Sequence, residues 1–110
     1  MYNVLQTDIF AEWLNDLRDK AARYRIGICI KRIENGNLGD HRTVGDGVSE
    51  IRLAFGPGYR LYYTMRGREI IILLCGGDKS SQQRDRDVSI SFKFIIIAYI
   101  TPIAFSLFLC

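Results

Sequence analysis

Between residues 48 and 79, apolar and polar positions follow two different rhythms. Ile51, Leu53 and Phe55 alternate with Glu50, Arg52 and Ala54, which is the period of a strand with one buried and one open face. Beyond the Gly56-Pro57-Gly58 turn, Tyr59, Leu61 and Tyr63 alternate with Arg60, Tyr62 and Thr64. Arg52, Arg60 and Tyr62 are therefore expected on the open face. After an Arg66-Gly67-Arg68 turn, residues 70–75 read IIILLC without alternation, as in a central strand covered on both sides. The stretch predicts a three-strand meander ending in the glycine turn Gly76-Gly77-Asp78.

Upstream, residues 2–6 suit a short first strand. Thr7 followed by Asp8 suits a helix start, because a side-chain oxygen can cap the first turn and a carboxylate favours its dipole. Phe10, Trp13, Leu14 and Leu17 fall at i, i+3, i+4 and i+7, one apolar helix face. At that spacing Trp13 reads as core rather than as a platform for stacking bases. A break at Asp19-Lys20 precedes a second helix with the face Ala22, Ile26, Cys29, Ile30 and Ile33, stopped by Asn35-Gly36. Residues 37–47 are polar and glycine-rich and predict a loop. Residues 79–85 open a third helix. The expectation is an α/β (α+β) fold with two N-terminal helices packed on a small, mostly antiparallel sheet of about four strands.

Composition changes this picture in two places. A chain of 110 residues with net charge +3 and pI near 8.9 is expected to be one mildly basic domain, compatible with an RNA partner. Three cysteines without a CxxC pair, beside a single histidine, provide no metal-ligand cluster, so no metal and no cofactor are expected. The GGDKS string lacks the first glycine and the spacing of a nucleotide-binding P-loop. The N-terminus has no basic segment followed by an apolar run, and a cytoplasmic location is expected.

The second change is the tail, where Lys93 is the only charged residue after Asp87. Residues 94–110 are near the lower limit for a membrane span, which needs about 20 residues. Basic flanks of the kind that anchor such a span are nearly absent, and the residues can also be read as a buried strand or helix, or as the product of a shifted reading frame. The chain accordingly divides into a domain at 1–88 and an atypical apolar tail at 89–110.

Taken together, WLNDLRD, the GNLGDHRTVGDGVSEIRLAFGPGYRLYY block and the LLCGGDKSSQQRD block closely resemble the phage-derived addiction-module killer family of the RelE/HigB toxin superfamily. The resemblance covers roughly residues 4–88. It implies a RelE-like fold and the toxin of a type II toxin-antitoxin pair, a ribosome-dependent mRNA interferase that inhibits translation. The implied partners are a helix-turn-helix antitoxin, messenger RNA and the ribosome.

An endoribonuclease that needs no metal must gather positive charge where the phosphorane's charge develops, and must move two protons. Arg60, by its place in the GPGYR block, is the first candidate to hold the phosphate, since a guanidinium fork grips phosphate oxygens. Arg52 is the second, with pairing to Glu50 or Asp46 as its structural alternative. Lys79 of the GGDKS block is a candidate for the scissile phosphate or the leaving oxygen, or a solvated cation at a turn. His41, otherwise a surface loop residue, is the remaining catalytic candidate. Arg42, Tyr62, Arg68, Gln82 and Arg84 are candidate RNA contacts.

The resemblance fails at the tail. The family continues as a polar, alanine-rich amphipathic helix, whereas here SISFKFIII takes over soon after the third helix begins. The alternatives to an active toxin are a decayed homologue that only binds an antitoxin, and a small membrane-associated protein using residues 94–110.

Overall fold

The computed structural model describes residues 1–93. In chain order these form β1 (Asn3–Gln6), α1 (Asp8–Asp16), α2 (Lys20–Glu34), β2 (His41–Gly45), β3 (Val48–Arg52), β4 (Arg60–Arg66) and β5 (Ile70–Gly77). A 3-10 turn over Lys79–Ser81 then leads into helix α3, which runs through residues 82–93.

Both helix starts are capped, α1 by Thr7 as the sequence suggests and α2 by Asp19 of the expected break. The Thr7 hydroxyl accepts from the Phe10 N–H and donates to the Leu74 carbonyl at 2.7 Å, so one side chain closes the helix end and ties it to β5. The Asp19 carboxylate accepts from the Ala22 N–H. At the far end of α2, Asn35 caps the helix and Gly36 takes φ 97°, a left-handed conformation in which a side chain is strained.

The sheet has five strands in the order β1-β5-β4-β3-β2. This corrects the expected RelE-like, mostly antiparallel sheet of about four strands. β1 lies at one edge, parallel to β5, with Asn3 opposite Ile70 and Gln6 opposite Leu73, so the sheet is mixed. Hydrophobic pattern alone does not reveal the partner of a four-residue strand. The other edge is a correction as well. β2 lies within 37–47, read above as loop, because its side chains are mostly exposed and an edge strand with little buried surface leaves no alternation to detect.

Two apolar layers enclose the sheet. On one face Phe10, Ile26, Ile30 and Ile33 of the helices meet Ile51, Leu61, Tyr63, Ile71 and Leu73. On the other, Val48, Tyr62, Ile72, Leu74 and Cys75 meet Ile90 and Phe92. Helix α3 therefore continues through SISFK, beyond the point where it was expected to give way. The readings of 94–110 lie outside the described residues. Among the described residues no helix is long and apolar enough to cross a membrane.

IIILLC shows no polar positions because β5 is covered on both sides as expected, Ile71 and Leu73 entering one layer and Ile72 and Leu74 the other, and a bulge breaks this phase at its end. Tyr62 pairs with Cys75 but Tyr63 pairs with Leu73, leaving Leu74 as the extra residue. Leu74 and Cys75 then pack into the same layer. The phase shift also turns Gly76 toward α1 and Gly77 toward α3. A Cβ on Gly76 would lie 2.1 Å from Trp13 Cε3, and one on Gly77 would lie 1.8 Å from Asp85 Oδ2. Trp13 is a packing residue, in contact with the rings of Phe10 and Tyr59 at 5.6 and 6.1 Å between centroids.

Candidate functional site

Strand register sets a row of side chains across the face under α3. Arg42 lies opposite Glu50, Glu50 opposite Tyr62, and Tyr62 opposite Cys75. Arg60 precedes Tyr62 by two residues and so shares its face. Gln82 and Arg86, one turn apart on α3, meet this row from above.

These residues converge on Glu50, whose side chain has no exposed surface. Its Oε1 accepts from Arg42 Nε at 2.6 Å and Arg60 Nη1 at 3.2 Å, with Arg86 Nη2 at 3.5 Å, while Gln82 Nε2 donates to Oε2 at 3.4 Å. Burial alone would raise this carboxyl's pKa. The Arg42 hydrogen bond and the charges of Arg42, Arg60 and Arg86 outweigh burial and hold it below the usual carboxylate range. Three guanidinium groups around one carboxylate leave a positive surplus, and their side chains are 49%, 12% and 24% exposed in the order Arg42, Arg60, Arg86. Nε of Arg60 and Nε of Arg86 are enclosed without an acceptor, a state costing about 1–3 kcal/mol for a buried donor.

The other candidates fall in different places. Arg52 lies opposite Arg60 but pairs with Asp40 at 3.1 Å, rather than with Glu50 or Asp46. Lys79 is exposed, and the Gly56-Pro57-Gly58 turn approaches its Cβ, 3.6 Å from where a Cβ on Gly58 would stand. Because Arg60 also pairs with Gly77, the GPGYR and GGDKS blocks meet at one end of the sheet. Tyr62 is fully buried, donates to the Gln82 carbonyl at 3.4 Å, and has its phenol pKa pushed up by burial and by the charges of Glu50 and Asp85. Its ring offers no stacking surface. His41 lies opposite Ile51, one residue out of phase with Arg42, and its Nδ1 contacts the Gly39 carbonyl. It therefore points to the helix side, away from the cluster. Arg68 lies in the turn at the opposite end of β4. Arg84 is exposed, 4.0 Å from Asp85.

The family whose description is "Phage derived protein Gp49-like (DUF891)" matches residues 12–90. The chain belongs to this family. Gp49-like proteins form a toxin-antitoxin-associated family. A Haemophilus influenzae relative described as an uncharacterized protein is 45% identical over 76 residues, 69% of this chain and 77% of its own length. The Gp49-like region contains Arg42, Glu50, Arg60, Gln82 and Arg86, so the whole cluster lies within the matched residues.

Two members of the cluster escape a reading of the sequence. Glu50 is visible only as a possible partner of Arg52, since counting charges on a strand does not show how many arginines from other elements reach it. Arg86 carries one faint signal, its i+4 spacing from Gln82 on a helix whose continuation the apolar tail obscures. Buried Asp85 and half-buried Ser81 form a further pair beneath Gly77, joined by a hydrogen bond from Ser81 Oγ to Asp85 Oδ2. The Cys75 thiol beside them is pushed up to about 11 by burial and the Asp85 charge.

Proposed function

We propose that this Gp49-like protein is the toxin of a type II toxin-antitoxin pair, of the RelE/HigB kind, and cleaves messenger RNA on the ribosome. The observation that carries the reading is the convergence of Arg42, Arg60 and Arg86 on buried Glu50, beside the meeting point of the GPGYR and GGDKS blocks.

In the proposed reaction the ribose 2′-oxygen bonds to phosphorus as the bond from phosphorus to the 5′-oxygen breaks. One proton leaves the 2′-hydroxyl and one reaches the departing oxygen. Negative charge builds on the non-bridging oxygens, where fixed guanidinium donors stabilise it without reorganising. Arg60 grips the phosphate, with Arg42 and Arg86 completing the field. Glu50 acts as a positioning residue that fixes the three forks, and its lowered pKa makes it a poor proton acceptor. Lys79 is the proposed donor to the leaving oxygen. A helix-turn-helix antitoxin is the proposed protein partner.

A second reading, antitoxin binding without cleavage, draws on the positions of the proton-transfer candidates. His41 faces the other side of the sheet and the Tyr62 phenol is buried. Induced expression with mapping of messenger RNA 5′ ends separates the two. Growth arrest with new cuts within translated codons, lost in Arg60→Ala, is the expected result. Full-length protein that binds an antitoxin but yields no cuts favours the second reading.

A further inference from the structure

On the helix side of the sheet, away from Glu50, a cleft of about 320 Å³ opens between α2, the 37–40 segment and residues 51–55. Its floor is apolar, with Leu38, Leu53 and Phe55 packed on the core. Its rim is cationic, with Arg25 and Arg32 contributed by α2. Arg25 and Arg32 enter none of the ion pairs among the described residues. Ile28, which lines the cleft, is 36% exposed, and Tyr24, one turn before it on α2, is 72% exposed. Spaced i, i+4 on α2, they extend the apolar track along the helix surface.

We propose that this cleft docks an acidic segment of a partner protein, in which large apolar side chains fill the floor and neighbouring carboxylates meet Arg25 and Arg32. Charge complementarity selects the sign of the partner. The floor selects its class. A nucleic acid would use an open aromatic face for stacking, but the Arg25 guanidinium covers the Phe55 ring at 4.0 Å from its centroid. The rest of the floor is aliphatic, which suits leucine-sized side chains. The site shares no residue with the Glu50 cluster and stands whether or not the protein cleaves RNA.

The test uses the full chain and a fluorescein-labelled peptide of glutamate and leucine. Its comparisons are a peptide of equal charge with serine for leucine, and polyuridylate. The expected result is saturable binding of the leucine peptide, with amide shifts concentrated at Ile28, Cys29, Leu38 and Leu53. The serine peptide should bind about tenfold more weakly, and the Arg25→Glu/Arg32→Glu double variant should lose about tenfold in affinity. Its unbound amide spectrum reports that the variant is folded. Arg60→Ala should bind the peptide like the parent protein, even if it loses RNA cleavage. No saturable binding, equal binding of the serine peptide, displacement by polyuridylate, or shifts centred on Arg42 and Arg86 would overturn the proposal.

Discussion

The two faces of the sheet are built from the same strands by different physics. Toward α1 and α2 the contacts are apolar and aromatic, and no charged residue belongs to that core. Toward α3 an apolar patch at one end gives way to a buried carboxylate ringed by arginines. An apolar core gains free energy simply by excluding water, roughly 25 cal/mol per Å² of apolar surface. A buried ion cluster begins with the cost of removing charges from water, so its geometry must be good merely to recover that cost. The helix face accounts for why the chain folds, and the α3 face carries the positive surplus on which the proposed function rests.

The strongest way to separate the faces is Arg60→Ala. It should lower RNA cleavage by about a hundred- to a thousandfold, the scale seen when a fixed transition-state donor is removed, while leaving the helix-side core intact. Cleavage kinetics beside a thermal melt would show the split, and equal loss of both would erase the distinction.

Glu50→Gln should act on stability first. Removing the carboxylate leaves three guanidinium groups facing one another, for which about 3 kcal/mol is expected, measurable by urea denaturation. The same residue gives an acid limb. The folded carboxyl sits below its ordinary value of 4.5, so its contribution is complete above that value and is lost as pH falls through the folded one. Glu50→Gln should flatten this limb.

Cys75 gives the alkaline counterpart. The folded thiol keeps its proton to about 11, against an ordinary value of 9.0, so between these values the unfolded state binds fewer protons. Stability should fall by about 2–3 kcal/mol as pH rises through that window, and Cys75→Ala should remove this share of the loss.

Gly76→Ala probes the boundary between the faces. The new methyl meets the body of the Trp13 ring, and overpacking of this kind costs about 1–3 kcal/mol. Near-UV circular dichroism should report the displaced indole. The smallest effect belongs to Arg52→Ala, which removes a half-exposed pair with Asp40 worth roughly 0.2–1 kcal/mol. A larger loss would mean that Arg52 is part of the buried network.

The sequence was most readable where burial imposes a period. The i, i+3, i+4 spacing of Phe10, Trp13 and Leu14, the Thr7 cap and the Asn35-Gly36 stop all mark α1 and α2, because a helix buries one stripe and needs its ends satisfied. Alternation likewise set Arg52, Arg60 and Tyr62 on one side of the meander. β2 was hidden because its exposed residues bury too little to leave a pattern, and the direction of β1 because pairing is a long-range choice. The openness expected around Tyr62 was misleading for a related reason. Arginines on a strand face suggest solvent, but Glu50 and α3 supply the partners that let this face close. His41 was adjacent in sequence to Arg42 yet lies on the opposite side, as the period of two requires.

The parallel pairing of β1 with β5 also bears on when the fold can be completed. Asn3 must wait for Ile70, so the first strand synthesised is joined to a strand about 67 residues later, as in the Thr7 bond to Leu74. At about 5–20 residues per second, this leaves the N-terminal strand unpaired for roughly 3–13 s after it is made. Local helices can form during that delay, but the sheet cannot gain its β1 edge. Folding should therefore be limited by closure of this long loop, as contacts distant in sequence generally slow the search, and a nascent chain stalled before β5 would expose the edge of β4 and leave β1 without its partner.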